Sequence, residues 1–149
     1  MQIVLSSDHA GANLKREIAR FLQSLPLITG VSDVFGTTEE KSDYPEAALK
    51  ATNEIIFGSA DRGILFCGSG IGMAIAANKV PGIRAVCASD ATMARLARQH
   101  NNCNVLTLGE RLCGIELAHD IVRVFLETSF EGGRHAVRVG LIGEIEKRL

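Results

Sequence analysis

Apolar residues along this chain follow two alternating rhythms. Short continuous runs such as Ile3-Val4-Leu5 and Gly63-Ile64-Leu65-Phe66 have the character of strands buried on both faces. Between them, apolar residues recur every three or four positions, as on one face of a helix. Strands are predicted over Ile3–Ser7, Val31–Phe35, Gly63–Phe66, Ile83–Ala88 and Val105–Leu108. Helices are predicted over Ala12–Leu25, with Leu14, Ile18, Phe21, Leu22 and Leu25 on one face, then from Pro45 to Phe57, over Met73–Asn78, over Ala91–Gln99 and from Ile115 to Phe130. A last helix is predicted over Ala136–Leu149 in spite of Gly140 and Gly143, after a stop at Gly132-Gly133. Asp43 followed by Glu46 has the spacing of a capping box for the second helix, with Pro45 in its first turn and a loop over 37–44 before it. Strand and helix alternate throughout, so the expected fold is a three-layer α/β sandwich. Its core is a doubly wound, five-stranded parallel sheet in a Rossmann- or flavodoxin-like order, with a C-terminal helical extension and residues 1–149 as one domain.

Composition narrows the class. A net charge of −1 and a pI near 6.4 give no nucleic-acid-binding surface. The opening Met1-Gln2-Ile3-Val4-Leu5 turns polar at Ser6, well short of a signal-peptide core, and no apolar run reaches membrane-spanning length. Cys67, Cys87, Cys103 and Cys113 form no CxxC pair and no metal-ligand spacing, so free thiols, no structural zinc and a cytoplasmic setting are expected.

The candidate chemistry gathers at predicted strand ends. Cys67-Gly68-Ser69-Gly70-Ile71-Gly72 joins the third strand to a helix, and its glycines let backbone approach a ligand closely while amide N–H groups face an anion. A thiol at such a turn can act as a base or nucleophile near neutral pH, or it can be a small core residue. The loop is an imperfect dinucleotide fingerprint, with Gly72 one residue early and Met73 in the expected place, although Asp90 follows at the distance of a ribose-binding acid. Asp8-His9 ends the first strand, where Asp8 is either a ligand for substrate or a helix cap. Tyr44 is a lid or simple packing, and Arg111 follows the fifth strand. Dense polar groups and few aromatics suit a small polyhydroxylated anion better than a dinucleotide. His100, between the fourth helix and the fifth strand, falls by alternation at the opposite pole of the sheet from Cys67.

Several blocks in order resemble the ribose-5-phosphate isomerase B family. They are Ser7-Asp8-His9-Ala10-Gly11, Asp43-Tyr44-Pro45, Gly63 to Gly72, Ala76 to Ala85, His100-Asn101-Asn102, Leu108-Gly109-Glu110-Arg111 and Gly132-Gly133-Arg134-His135. The resemblance implies interconversion of D-ribose 5-phosphate and D-ribulose 5-phosphate in the pentose phosphate pathway, with no metal and no cofactor. It implies Cys67 as the base forming a cis-enediolate, the amides of Gly68, Ser69, Gly70, Ile71 and Gly72 around the oxyanion, and Ser69 moving a proton between oxygens. His100 would open the sugar ring, with Asp8 at the sugar hydroxyls, Asn101 on a hydroxyl, and His9, Arg111, Arg134 and Arg138 on the phosphate. Three features depart from the family pattern, one of them the tail Gly140-Leu141-Ile142-Gly143 beyond Val139, which does not match the family ending. Many relatives carry Thr at the position of Ser69, and one branch uses a Glu as base where this chain has Met73. Alternatives are a six-carbon isomerase acting on allose 6-phosphate or galactose 6-phosphate, and a non-catalytic nucleotide-binding module. Since one chain cannot easily bring both poles together, the expected assembly is a homodimer with composite sites, or a dimer of such dimers.

Overall fold

The computed structural model describes residues 1–37 and 40–148. Strands β1 (Gln2–Ser7), β2 (Gly30–Phe35), β3 (Arg62–Cys67), β4 (Ala85–Cys87) and β5 (Val105–Gly109) form one parallel sheet in the order β2-β1-β3-β5-β4. Compared with the flavodoxin order 2-1-3-4-5, the last two strands are exchanged and the sheet stays doubly wound. The helices are α1 (Ala12–Leu22), α2 (Tyr44–Ile56), α3 (Ile71–Ala77), α4 (Ala91–Asn101), α5 (Ile115–Glu127) and α6 (Arg134–Glu146).

The period-two geometry of the strands divides the core into two layers. Ile3, Leu5, Ile64, Phe66, Leu106 and Leu108 pack with Leu14, Ile18 and Leu22 of α1, Ala94 of α4 and Ile121, Val122 and Phe125 of α5. On the other face, Val4, Leu65 and Val105 meet Ala47, Ala48 and Ala51 of α2 and Met73 and Ala77 of α3. The chain leaving β3 therefore runs to one face, whereas the chains leaving its neighbours β1 and β5 run to the other. Where adjacent strands part in opposite directions the sheet edge opens, so β3 has a crevice on each side of its carboxyl end.

Several boundaries differ from the sequence pattern for local reasons. Helix α1 stops at Leu22, because Gln23, Ser24 and Leu25 form tight turns ahead of Pro26, which disfavours helical backbone before it. Strand β4 spans three residues, since its approach is held by side chains: the Asn78 amide bonds both the N–H and the carbonyl of Ala85 (2.8 and 2.9 Å), and Asn104 Oδ1 accepts from the Arg84 N–H at 2.8 Å. Asp43 takes the N-cap position of α2 without a side-chain capping bond, so the predicted box does not form. Helix α5 ends at Glu127, and α6 begins earlier than expected, at Arg134, directly after Gly132 and Gly133, whose positive φ values of 69° and 55° make the turn. The loop predicted over 37–44 contains positions 38 and 39, and the predicted last helix ends at position 149; these three lie outside the described residues. No described helix is long and apolar enough to cross a membrane.

Candidate active site

A cleft of about 560 Å³ occupies the carboxyl edge where the two crevices meet. Its walls come from the ends of three strands: Asp8 and His9 after β1, Cys67, Gly68, Ser69, Ile71 and Gly72 at the turn that ends β3, with Gly70 buried behind them, and Arg111 after β5. Tyr44, at the start of α2, closes one side.

The turn after β3 is held on every side. Gly70 adopts φ 78°, a left-handed backbone that glycine takes without strain. Its carbonyl accepts from Thr107 Oγ1 at 2.8 Å, while the Gly68 carbonyl accepts from the Arg111 N–H at 3.1 Å. A side chain on Gly109 would reach within 2.5 Å of the Ser69 backbone, so β5 and the loop touch through bare main chain. Cys67, only 5 % exposed, receives the Gly70 N–H on Sγ at 3.0 Å. Ser69 Oγ accepts from the Ile71 N–H at 3.3 Å, so two of the amides expected around a ligand are engaged by the loop's own side chains.

Asp8 is a cap by its bonds and a wall of the cleft by its place. Its Oδ1 accepts from the N–H groups of Ala10 (2.9 Å) and Gly11 (3.1 Å), capping the 3-10 turn His9–Gly11, and it also lines the cleft. Burial raises its pKa, and the Ala10 N–H, the His9 imidazole, the Gly11 N–H and the Arg111 guanidinium partly offset that. His9 is exposed, with Nδ1 3.2 Å from the Ser42 carbonyl. The Arg111 guanidinium lies against Gly68, where a Cβ would come within 3.2 Å of its Cζ. The Tyr44 ring covers Gly72 at a distance that a Cβ would reduce to 2.9 Å.

The remaining predicted residues lie elsewhere. His100 and Asn101 end α4, three to four residues before Asn104, whose carbonyl accepts the Gly63 N–H at the amino end of β3. Gly63 pairs with Val105 and Cys67 with Gly109, so the two groups are separated by four strand steps, about 13 Å along the sheet. Arg134 and Arg138 are exposed on the first turns of α6, beside His135 and Glu131. The structure thus brings Asp8, His9, Tyr44, Cys67, Ser69 and Arg111 together, and leaves His100, Asn101, Arg134 and Arg138 at the other pole. Asp90, the acid of a dinucleotide reading, caps α4 through the Met93 N–H at 2.9 Å.

Sequence reasoning missed four contributors, of which Ala10 lines the cleft beside His9. Ile75 and Leu112 line the cleft although 59 % and 71 % exposed, and Ile75 could have been found from its place one turn beyond Ile71. Glu110 accepts from the N–H groups of Asn13 and Leu14 and from the Asn13 side chain, tying the start of α1 to the end of β5 across 96 residues of sequence, for which no local signal exists.

The family model described as Ribose/Galactose Isomerase matches residues 3–142. Ribose-5-phosphate isomerase B of Escherichia coli is 44 % identical, covering 99 % of this chain and 97 % of its own. A D-erythrulose-4-phosphate isomerase of Pectobacterium atrosepticum is 42 % identical over 98 % and 95 %. Among solved structures, ribose-5-phosphate isomerase B of Clostridium thermocellum superposes with a TM-score of 0.94 at 54 % identity, covering 99 % of both chains. With a cleft at the strand ends and a family match along nearly its whole length, this chain belongs to the ribose/galactose isomerase family and is an isomerase of sugar phosphates.

Proposed function

We propose that the protein interconverts D-ribose 5-phosphate and D-ribulose 5-phosphate through an enediolate, with Cys67 as the base. The observation that carries this reading is the convergence of Cys67, Asp8 and Arg111 on one cleft at the ends of three strands, in a chain of this family. In the open-chain aldose, the Cys67 thiolate takes the proton from carbon 2, leaving a cis-enediolate, and returns it to carbon 1. Ser69, beside it on the turn, carries the hydroxyl proton from one oxygen to the other. Amides of the Gly68 to Gly72 turn exchange their internal bonds for the developing oxyanion. Asp8 has Oδ1 committed to two backbone N–H groups, so Oδ2 is the oxygen offered to a sugar hydroxyl.

Ring opening needs a further acid/base group, and His100 fills that role from a second copy of the chain. An isologous dimer sets the amino edge of one subunit against the carboxyl edge of its partner, making two equivalent sites. Asn101 then meets a substrate hydroxyl, while His9 and the guanidinium groups of Arg111, Arg134 and Arg138 hold the phosphate. The setting is the cytoplasmic pentose phosphate pathway, in keeping with four free thiols.

A second reading is favoured by the relative named for D-erythrulose 4-phosphate, at 42 % identity. Assaying D-ribose 5-phosphate, D-erythrose 4-phosphate and D-allose 6-phosphate side by side separates the substrate classes. The expected order of kcat/KM places ribose 5-phosphate first; a preference for either other sugar replaces it. Cys67→Ala is expected to lower turnover of the preferred sugar by about 10² to 10⁴, the usual size of a general-base contribution, with the fold retained. Full turnover in a folded Cys67→Ala protein rejects the assigned base.

A further inference from the structure

At the amino pole, His100 is not alone. Its ring stacks on that of His135 with centroids 4.2 Å apart and planes 1° from parallel. The Glu131 carboxylate faces both, with Oε2 4.0 Å from His100 Nε2 and 3.6 Å from His135 Nε2. These are ion-pair distances longer than hydrogen bonds, so the carboxylate acts on both rings through charge. The donor set would suit a metal ion, but in-plane lone pairs of two parallel stacked rings do not converge on one point, so this arrangement serves the rings themselves.

The cluster is held by backbone. The Glu131 N–H donates to the Gln99 carbonyl at 3.0 Å, pinning the loop before α6 to the residue before His100. Gly132 and Gly133 then turn the chain, and the His135 N–H returns to the Gly132 carbonyl at 3.0 Å. On this turn Arg134 and Arg138 point to solvent, whereas the side chain of His135 is 8 % exposed against 38 % for His100. A buried imidazole beneath a half-exposed one is a floor: it fixes the plane of the ring above it.

We propose that His135 and Glu131 are positioning residues for His100. His135 holds the His100 ring in one plane by stacking, and Glu131 supplies a negative charge beside both rings that favours the protonated form of the pair. This rests on the reading of His100 as the ring-opening group. Two stacked imidazoles cannot both be charged cheaply, and the carboxylate beside them balances one positive charge. Among the described residues, the charged groups acting on His135 besides His100 are Glu131 from the loop and Arg134 and Arg138 from α6, and the two guanidinium groups oppose a proton there. Burial first, then His100 and Arg134, lowers the His135 pKa, in keeping with His135 as the neutral member.

The test uses the full-length protein and two substrates: D-ribose 5-phosphate, which must be opened, and its 4-deoxy analogue, which lacks the hydroxyl that closes the furanose. His100→Asn comes first as a control, and it must slow the cyclic sugar selectively; if it slows neither, the role of His100 fails and not that of its neighbours. Given that control, His135→Ala is expected to lower kcat on ribose 5-phosphate about tenfold or more while sparing the analogue. His135→Phe, which keeps a flat ring in the stack, is expected to recover most of that loss. Glu131→Gln is expected to move the pH optimum for ribose 5-phosphate downward by about half a unit to one unit, the effect of removing one partly exposed charge about 4 Å away. Folded His135→Ala and Glu131→Gln proteins that match the wild type on ribose 5-phosphate at every pH overturn the proposal. So does an equal loss on both substrates, or a His135→Phe protein as slow as His135→Ala.

Discussion

The two edges of the sheet are built in opposite ways. At the carboxyl edge, Cys67 and Asp8 are buried, their polar atoms are bonded to main chain, and glycines bring backbone against backbone around them. At the amino edge, Arg134 and Arg138 are exposed, His100 is half-exposed, and the support is a helix end and a glycine turn. A site that must place a proton donor to within a fraction of an ångström benefits from the first construction. A surface that must meet another molecule requires the second, because its groups stay available until the partner arrives. The contrast agrees with the proposed dimer, in which the rigid edge carries the proton transfer between carbons and the open edge, with its ring-opening histidine, is delivered to it.

The largest effect comes from separating the two edges onto different chains. Cys67→Ala and His100→Asn chains, each expected to be inactive on ribose 5-phosphate, are mixed under conditions that exchange subunits. Half the dimers then pair unlike chains and one site in each is intact, so activity is expected to return to about a quarter of wild type. No recovery despite verified exchange means that the edges do not combine between subunits.

A second variant probes the rigid edge alone. Gly109→Ala places a methyl group 2.5 to 2.7 Å from backbone atoms of Ser69, which cannot yield as a flexible side chain would. The turn after β3 must shift, and since an ångström of misplacement can cost about 10²-fold, kcat is expected to fall by that order with the sheet intact by circular dichroism. Unchanged kcat shows that the turn tolerates displacement.

The open edge is expected to respond in KM. Arg138→Gln removes an exposed charge assigned to the phosphate in both ground and transition state, so KM is expected to rise about tenfold or more with little change in kcat. A fall in kcat at constant KM reassigns Arg138 to the chemical step.

The smallest effect is on stability. With the His135 pKa lowered in the folded state, the unfolded chain binds the proton more readily below its ordinary value of about 6.5. Stability is therefore fully present above about pH 6.5 and declines as pH falls through it. Urea unfolding between pH 8 and pH 5 is expected to show a shallower decline in His135→Phe than in wild type. Equal slopes remove His135 from the proton balance.

Much of the fold and of the turn at Cys67 is legible in the sequence. The five strands and their intervening helices followed from apolar periodicity, because burial on one face of a helix or both faces of a strand acts on residues two to four apart. The turn at Cys67 was legible too, since glycine spacing reports backbone demands locally. The capping box at Asp43 failed because the spacing permits the bond without requiring it, and the side chain makes no cap here. The early end of α1 and the shortness of β4 depended on how turns and side chains satisfied backbone groups.

The sequence by itself determined which elements form and which chemistry-bearing residues end them, because these depend on neighbours along the chain. Only the tertiary structure decided that β5 enters the sheet between β3 and β4, which sets Arg111 beside Gly68 and Gly109 against Ser69. It alone decided that Glu110 caps α1 and that His135 lies flat beneath His100. Those contacts join residues 35 to nearly 100 positions apart, and no local pattern encodes such a meeting; the packing of whole layers against one sheet brings it about.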